Sequence, residues 1–414
     1  MPKRQRWTPV KGTRNRIYER RERWAVAALD MPLGLTLGAA RLFGLGRPRP
    51  LVLSEVREVL VLRLDRIGDV IMSLPALADL RQALPAARIR LAVGQWSEGV
   101  ARSAPVDEVL LWSAPWVGRA HEGALKASEL IRRARALRSA KLDLAIDLQG
   151  DLRSALVMFA SGARHRVGYA NTGGRSLLTQ VVPLDETVSW VEQNRRAVGL
   201  ALGRPPGDAT CDPLTRADRD FARRLFENLK IDVQRPLVGI HPSGGRAVKQ
   251  WPAERWAEVA ARLEREHGAT LVFTGLELDR PLAKVIARSL EHLSFDLTGK
   301  LSVRETLAVI ERLQLFLSPD TGTMHMACAV GTPSVTVFGP SDPQRYFSGG
   351  DGRSGSRHVV VRTDLWCSPC NLIRRPPQEC DGPEAPECLR LVTVDAVYAE
   401  AAKLLARLAQ GDLQ

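Results

Sequence analysis

An apolar stretch near residue 60 ends in acidic and small residues whose spacing could serve proton transfer. The segment VLRLDRIGDVIMSLP (61–75) has the pattern of a buried strand that stops at Asp65 and Arg66 and leads into an amphipathic helix. Gly68 allows a tight turn there, and Asp69 falls at the start of the helix. Asp69 is therefore either a helix N-cap, worth about 1 kcal/mol, or a general base that removes a proton from an attacking hydroxyl group.

A second loop has the composition of a phosphate-binding segment. HPSGGRAVKQWP (241–252) supplies small residues and backbone amides at Ser243 and Gly244. Lys249 adds a compact positive charge, and Pro252 suits the first turn of the following helix. A glycine-rich loop alone is a weak signal, so this segment is one candidate among several for binding an anion.

A third loop joins an apolar strand to a helix in SPDTGTMHMACAVGTPSVTVFGP (318–340). Asp320, Thr321 and Gly322 precede the helix, whose free amides and macrodipole favour a phosphate group. His325 lies one turn further on. It is either a ligand-binding side chain or a structural histidine that is satisfied within the fold.

Several other chemistries lack their usual motifs. None of the three loops contains GxGxxG or GxxxxGK[ST], so the sequence does not indicate nicotinamide, flavin or P-loop chemistry. The chain has no HExxH motif and no GxSxG elbow. A metal-dependent or serine hydrolase is therefore not indicated.

Apolar runs alternate with amphipathic stretches along most of the chain, which indicates parallel sheets covered on both faces by helices. In the first half, strands are expected at 58–64, 89–93, 108–112 and 142–148, and helices at 70–84, 121–139 and 151–160. In the second half, strands are expected at 235–242, 269–275, 294–298, 314–318 and 334–338, and helices at 252–268, 278–290, 302–312 and 322–330. Ligands of such sheets bind at the carboxyl ends of the strands, where the three loops lie.

The Pro- and Gly-rich segment GRPPGDATCDP (203–213) interrupts this alternation and predicts a linker. We therefore expect two α/β domains. The full division is a basic amphipathic arm (1–50), an N-terminal Rossmann-like domain (51–205), a linker with a helix at 215–229 (206–234), a C-terminal Rossmann-like domain (235–392) and a final helix at 393–409 (393–414).

With these loops in place, the chain resembles the ADP-heptose:lipopolysaccharide heptosyltransferases, glycosyltransferase family 9. The matching segments occur in family order over roughly residues 58 to 345. They are VLRLDRIGDVIMSLPAL, DLAIDLQGDLRSAL, GIHPSGGRAVKQWPAERW, FTGLELD, LTGKLSVRETLAVI and LSPDTGTMHMACAVGTPSVTVFGP. The combination is specific, although each segment alone is not.

The resemblance implies a GT-B fold, in which two Rossmann-like domains have parallel sheets that face a central cleft. The N-terminal domain would bind the acceptor and the C-terminal domain the nucleotide sugar. Asp69 would be the catalytic base, and Lys249 would neutralise the leaving diphosphate. The donor-binding residues implied are Ser243, Gly244, Lys249, Glu277, Asp320, Thr321, Gly322 and His325.

The reaction implied by the resemblance is the inverting transfer of a heptose from ADP-heptose to an inner-core lipopolysaccharide acceptor. The acceptor is expected to be a lipid-anchored, anionic glycan, and Arg66 and Arg153 are candidates to bind it. Because a lysine and helix dipoles can stabilise the leaving group, no divalent metal and no other cofactor is expected to be required.

The positive charge of the chain is concentrated at its start. The formal net charge is +13, and residues 1–24 hold nine basic and two acidic residues. We interpret the arm as attracted to an anionic membrane surface; a basic disordered tail followed by a helix packed on the body is the alternative. Nucleic acid is not an expected partner, and the expected location is cytoplasmic, peripheral on the inner face of the cytoplasmic membrane.

Four of the six cysteines lie close together in the sequence, in the loop 367–388. Cys367, Cys370, Cys380 and Cys388 form a C-x2-C-x9-C-x7-C array that could hold a structural zinc ion. The array lacks the second CxxC of the stronger zinc signature. Free thiols and, in a reducing compartment, less readily disulfides are the alternatives.

Two further functions remain open from the sequence. One is a family member that uses another nucleotide sugar or acceptor. The other is a non-catalytic protein that binds a nucleotide sugar or nucleic acid. A nucleic-acid binder would show basic and aromatic residues interleaved through the body, and the sequence does not show this pattern.

Overall fold

The computed structural model describes residues 50–117, 125–292, 294–350, 352–353, 355–373, 376–380 and 384–412. The chain divides into two compact units between Cys211 and Asp212. Residues 1–49, which make up almost all of the predicted basic arm, lie outside the described residues. Within the described ranges, no helix has the length and apolar character needed to cross a membrane.

The N-terminal unit contains a six-stranded sheet in which all paired strands are parallel. Its strands are β1 (Glu58–Arg63), β2 (Arg88–Val93), β3 (Glu108–Leu111), β4 (Leu144–Asp147), β5 (His165–Gly168) and β6 (Gln180–Val181). Their order is β3-β2-β1-β4-β5-β6. All of β1 after its first residue is buried, as expected for a central strand covered on both faces.

Six α-helices lie within the described residues of this unit. They are α1 (Ile67–Ile71), α2 (Leu74–Ala83), α3 (Glu98–Ala101), α4 (Ala127–Ala136), α5 (Leu152–Ala160) and α6 (Trp190–Leu202). Helix α2 packs against α6, and α4 packs against α5. The short helix α1 begins directly after the carboxyl end of β1, so the β1–α1 loop is a strand-end site of the kind that binds ligands.

The C-terminal unit has a second six-stranded parallel sheet. Its strands are β7 (Leu237–Ile240), β8 (Thr270–Phe273), β9 (Phe295–Asp296), β10 (Leu315–Pro319), β11 (Ser334–Val337) and β12 (His358–Val361). Their order is β12-β11-β10-β7-β8-β9. The switch from β7 to β10 at the centre places the loops after these two strands side by side.

The helices of the C-terminal unit cover this sheet and pack on one another. They are α7 (Arg216–Asn228), α8 (Ala253–His267), α9 (Arg280–Ala287), α10 (Val303–Glu311), α11 (Gly322–Ala329), α12 (Pro343–Tyr346), α13 (Glu387–Arg390) and α14 (Val394–Ala409). The long helices α8 and α14 pack together. Trp251 and Trp256 are fully buried beside them, with their rings edge to face at 4.6 Å, a favourable aromatic geometry.

Local sequence signals explain where several helices begin and end. Ser302 and Glu305 form a reciprocal capping box at the start of α10, which satisfies two amides that a helix leaves free. Gly268 ends α8 in the left-handed region with φ of 64°, where glycine carries no Cβ penalty. These ends fix the lengths of the helices that frame the second sheet.

The prediction of an α/β fold with two parallel sheets is confirmed, and most predicted elements occur with ends shifted by a few residues. The helix expected over 70–84 is wrong as a single element. It is two helices, α1 and α2, separated at Met72 and Ser73. Pro75 lies in the first turn of α2, where its missing N–H costs nothing because that amide has no helical partner.

Other elements were not anticipated from the sequence. Strands β5, β6 and β12 and helix α6 had not been predicted. The helix expected over 121–139 begins only at Ala127 and ends at Ala136, while residues 118–124 lie outside the described residues. Short strands such as the two-residue β6 are too brief to show a hydrophobic period of their own.

A buried ion pair fastens the predicted linker to the N-terminal unit. The Asp79 carboxylate accepts hydrogen bonds from the Arg195 guanidinium at 2.7 and 2.8 Å and from the Ala209 backbone N–H at 2.9 Å. A Cβ on Gly207 would lie 2.3 Å from the Asp79 carboxylate, so the close approach needs glycine. The linker is therefore attached along its first part, up to the division at Cys211.

Candidate functional site

The predicted base Asp69 is the third residue of α1 in the N-terminal unit. Its Oδ2 accepts a hydrogen bond from the backbone N–H of Arg66 at 3.2 Å. Arg66 itself occupies the N-cap position, so the alternative that Asp69 is the N-cap is wrong. The Asp69 carboxylate instead satisfies the N-cap amide from within the first turn, and its side chain keeps 28% of its surface exposed. This exposure leaves room for a reacting hydroxyl group.

Sequence reasoning missed Arg63, which contacts Asp69 directly. Arg63 ends β1 and is 2% exposed. Its Nε donates to the backbone carbonyl of Asp69 at 3.1 Å, and its Nη2 lies 3.6 Å from Asp69 Oδ1. Its Nη1 lies 3.6 Å from Asp65 Oδ2 and donates to the carbonyl of Leu148. The signal for it is an arginine at a core position of an otherwise apolar strand.

Two aspartates near Arg63, Asp65 and Asp147, have raised pKa values. Burial raises the pKa of Asp65 to about 7 against the lowering effect of Arg63, and the charges of Asp69, Asp147 and Asp151 raise it further. Burial also raises the pKa of Asp147 to about 7, although the backbone N–H groups of Gln149 and Gly150 lower it. The end of this sheet therefore holds carboxyl groups that change charge near neutral pH.

The two candidate acceptor-binding arginines differ in their surroundings. Arg66 is exposed at the start of α1. Arg153 binds Asp151 through two nitrogens, Nε at 2.8 Å and Nη2 at 2.6 Å, and its guanidinium carbon lies 4.7 Å from the centre of the Trp116 ring. Arg153 is thus held by a carboxylate and an aromatic face, and an anionic ligand would have to share it with Asp151.

In the C-terminal unit, two predicted donor-binding residues form an ion pair. Lys249 Nζ lies 2.7 Å from Asp320 Oδ2, and both side chains are largely buried. Lys249 ends a 3-10 turn over Ala247–Lys249, and Asp320 follows β10. The pairing brings the second and third loops of the sequence analysis together at the carboxyl ends of β7 and β10.

The loop before Lys249 is shaped by close backbone approach. Gly244 donates its N–H to Gln250 Oε1 at 2.9 Å, and a Cβ on Gly244 would lie 2.4 Å from the carbonyl oxygen of Lys249. Gln250 Nε2 in turn donates to the carbonyl of Pro242 at 2.7 Å. Ser243 Oγ accepts the N–H of Gly245 at 3.3 Å. Gly244 is therefore required by packing, whatever it binds.

The start of α11 joins the remaining residues of the third loop. Thr321 is the N-cap residue and makes no side-chain capping bond, and Gly322 is the first residue of the helix. His325 is 6% exposed, and its Nδ1 lies 2.9 Å from Ser348 Oγ. A helix start without a side-chain cap beside a lysine suits an anion, and Ser348 fixes the orientation of the His325 ring.

Glu277 lies in a separate turn, after β8. It begins a 3-10 turn over Glu277–Asp279 and binds Arg280, whose Nε donates to its Oε1 at 2.7 Å. This hydrogen bond lowers the pKa of Glu277. The flanking Leu276 and Leu278 are 69% and 81% exposed. Glu277 is thus at a strand end of the same sheet but is engaged by its own arginine.

The four late cysteines carry no disulfide. Burial raises the pKa of Cys388 to about 12, and Cys370, Cys380 and Cys367 raise it further, in that order. Among the described residues, no group of three or more His, Cys, Asp and Glu side chains is arranged to hold a metal ion. The zinc prediction is therefore not confirmed.

Comparison with known proteins assigns the chain to a class and then to a family. Two units, each built on a six-stranded parallel sheet with helices, define the class of two-domain α/β proteins. Residues 130–378 match the model of glycosyltransferase family 9 (heptosyltransferase). The chain belongs to this family, which confirms the resemblance and makes the protein a glycosyltransferase.

Individual relatives agree with this assignment. The chain is 26% identical over 318 residues to lipopolysaccharide heptosyltransferase 1 of Escherichia coli, covering 74% of this chain and 93% of the relative. It is 28% identical over 333 residues to lipopolysaccharide heptosyltransferase 1 of Pseudomonas aeruginosa, covering 76% and 86%. The fold resembles the structure of ADP-heptose lps heptosyltransferase II of E. coli, with a TM-score of 0.67, 22% identity and coverage of 85% and 99%.

The raised pKa of Asp147 predicts how stability depends on pH. Its folded value of about 7 exceeds the ordinary aspartate pKa of 3.8, so folding binds a proton between these values and the free energy of unfolding falls as pH rises from about 4 to about 7. In the Asp147→Asn variant the free energy of unfolding should fall less steeply with pH, by up to about 1.4 kcal/mol per pH unit. Urea denaturation at pH 5 and pH 8 measures it.

The exposed Asp208 provides the matched control for that experiment. Asp208→Asn should leave the fall between pH 5 and pH 8 as in the wild type. An Asp147→Asn protein whose stability falls as steeply as that of the wild type would contradict the assignment of a buried, neutral-range carboxyl to Asp147.

Proposed function

We propose that the protein transfers a heptose from ADP-heptose to an inner-core sugar of lipopolysaccharide, with inversion at the anomeric carbon. Membership of glycosyltransferase family 9 and the names of the relatives support the heptose donor and the lipopolysaccharide acceptor. The observation that carries the proposal is the buried ion pair of Lys249 and Asp320 beside the uncapped start of α11, a suitable place for a diphosphate.

The donor would bind to the C-terminal unit. Lys249 Nζ and the first amides of α11 would hold the diphosphate, and Ser243 and His325 would border it. Glu277 would accept a hydrogen bond from a ribose hydroxyl after exchanging its contact with Arg280. Fixed positive charge at the leaving oxygen lowers the transition-state energy, so this stabilisation requires no divalent metal.

The acceptor would bind to the N-terminal unit, with Asp69 as the base. As the acceptor oxygen forms a bond to the anomeric carbon, its proton passes to an Asp69 carboxylate oxygen. The bond from the anomeric carbon to the β-phosphate oxygen breaks, and ADP leaves with the electron pair. Positive charge develops on the sugar ring as in other glycosyl transfers. One displacement of this kind inverts the configuration.

The proposed location follows from the acceptor and from the arm. A lipid-anchored, anionic glycan is held at a membrane surface, and the arm 1–50 is rich in basic residues that anionic lipids attract. We place the protein at the inner face of the cytoplasmic membrane as a peripheral protein. Arg66 and Arg153 would contribute positive charge toward the glycan.

Replacing the base should strongly reduce turnover while leaving the donor site intact. Asp69→Asn keeps an acceptor for the Arg66 amide but cannot take a proton, so kcat should fall about 100- to 10,000-fold. ADP release from ADP-heptose with a defined inner-core acceptor measures this. Asp208→Asn, an exposed substitution, should retain wild-type turnover. Unchanged kcat in Asp69→Asn would overturn the role of Asp69.

Replacing the lysine should weaken nucleotide binding. Lys249→Met removes a charge-assisted contact worth about 1.5–3 kcal/mol, so the Kd for ADP should rise about 10- to 100-fold. Isothermal calorimetry with ADP, UDP and GDP measures it, with Lys284→Met, an exposed lysine of the same unit, as the control. Equal affinity of the wild type for all three nucleotides would refute the ADP assignment and favour another nucleotide sugar.

We also propose zinc as the occupant of the cysteine loop. The C-x2-C spacing of Cys367 and Cys370 supports such a site. In this structure the four thiols are not arranged around one metal position, so the loop would have to rearrange on binding. Elemental analysis of purified protein should find about one zinc per chain, lost in Cys370→Ser and kept in Cys211→Ser. Metal-free wild-type protein would contradict the proposal.

A further inference from the structure

Arg63 is a buried cation whose partners come from three segments of the N-terminal unit. It ends β1 with 2% of its surface exposed, and a buried guanidinium is costly unless its hydrogen bonds and charge are satisfied. The carbonyls of Asp69 and Leu148 accept from it, and the Asp65 and Asp69 carboxylates balance its charge at 3.6 Å each. A single side chain thus joins the sheet, the β1–α1 loop and the end of β4.

The contacts of Arg63 determine where the Asp69 carboxylate lies. Helix α1 has only five residues, too few to be stable by itself. The hydrogen bond from Arg63 Nε to the Asp69 carbonyl, at 3.1 Å, ties this short helix to the buried sheet. The side chain of Asp69 is consequently positioned by a group anchored in the core and not by the helix alone.

Arg63 is also the positive charge that balances the Asp69 carboxylate. The charges of Asp69, Asp147 and Asp151 act on Asp65, which lies 3.6 Å from Arg63, and Arg153 is engaged by Asp151. The Arg63 guanidinium therefore faces an excess of acidic groups. When Asp69 takes a proton during the reaction, Asp65 stays within 3.6 Å of Arg63, so the buried guanidinium keeps an acidic neighbour.

We propose that Arg63 is a positioning residue for the catalytic base: it fixes the Asp69 backbone to β1 and supplies the counter-charge of its carboxylate. Arg63 touches no reacting atom in this account and acts only through Asp69. The inference rests on the proposed function, since it requires Asp69 to accept the proton of the attacking hydroxyl group.

The test compares two substitutions at Arg63 by their pH–rate profiles. In Arg63→Met the counter-charge is lost, so the acid limb of the kcat/KM profile should move about one unit or more to higher pH, and kcat at pH 7 should fall by at least about tenfold. The KM for ADP-heptose should stay within about twofold, since the donor would bind to the other unit. Arg63→Lys keeps a charge but not the same hydrogen bonds and should restore the position of the acid limb with only part of kcat.

Arg90 provides the matched control because it is also a buried arginine of the same sheet. It is 5% exposed and pairs with Glu58 and Glu108, at the opposite end of β1. Arg90→Met should lower the free energy of unfolding, measured in urea, without moving the acid limb. Equal profiles of Arg63→Met, Arg63→Lys and Arg90→Met would overturn the inference.

The outcomes separate this inference from the proposed function. Only the role of Arg63 is refuted under three joint results: the wild type transfers heptose, Asp69→Asn is inactive, and Arg63→Met keeps the wild-type acid limb. If the wild type transfers no heptose to any inner-core acceptor, the proposed function fails, and the inference that rests on it fails as well. Should Arg63→Met not fold, a displaced acid limb in Arg63→Lys would also contradict the role, because the charge is retained there.

Discussion

Burial of both faces of a parallel sheet is the constraint on which the rest of each unit depends. Strands β1, β7 and β10 are almost entirely buried, and a strand covered on both sides has no room for polar chemistry along its length. Polar groups therefore collect where the strands end. Asp65 and Asp69 follow β1, and Lys249 and Asp320 meet beyond β7 and β10.

The charged groups at the strand ends are balanced differently in the two units. In the C-terminal unit one lysine and one aspartate pair directly, beside amides at a helix start. In the N-terminal unit one arginine is shared by two carboxylates, and further acids stand close by. The first arrangement suits an anionic leaving group. The second suits proton transfer, because crowding of acids in a buried place brings their titration towards neutral pH.

The sequence was sufficient to predict the strand ends but not the contacts made there. Alternating apolar runs and the residues after them identified Asp69, Lys249 and Asp320, since these signals are local. The role of Arg63 depends on Leu148, 85 residues away, and no local pattern encodes such a contact. The prediction of one helix over 70–84 did not use Pro75, which lies in the first turn of α2. The two-residue β6 was too short to show a period. The pKa values of Asp65 and Asp147 arise from burial, which only the folded chain defines.

The central claim is a single displacement in which Asp69 deprotonates the acceptor while ADP leaves. The anomeric configuration of the product tests it most directly. Transfer from ADP-heptose to a defined inner-core oligosaccharide can be followed by the one-bond carbon–proton coupling at the anomeric position of the new linkage. A single displacement gives a configuration opposite to that of the donor. A product with the donor's configuration would contradict it, since retention requires a different mechanism.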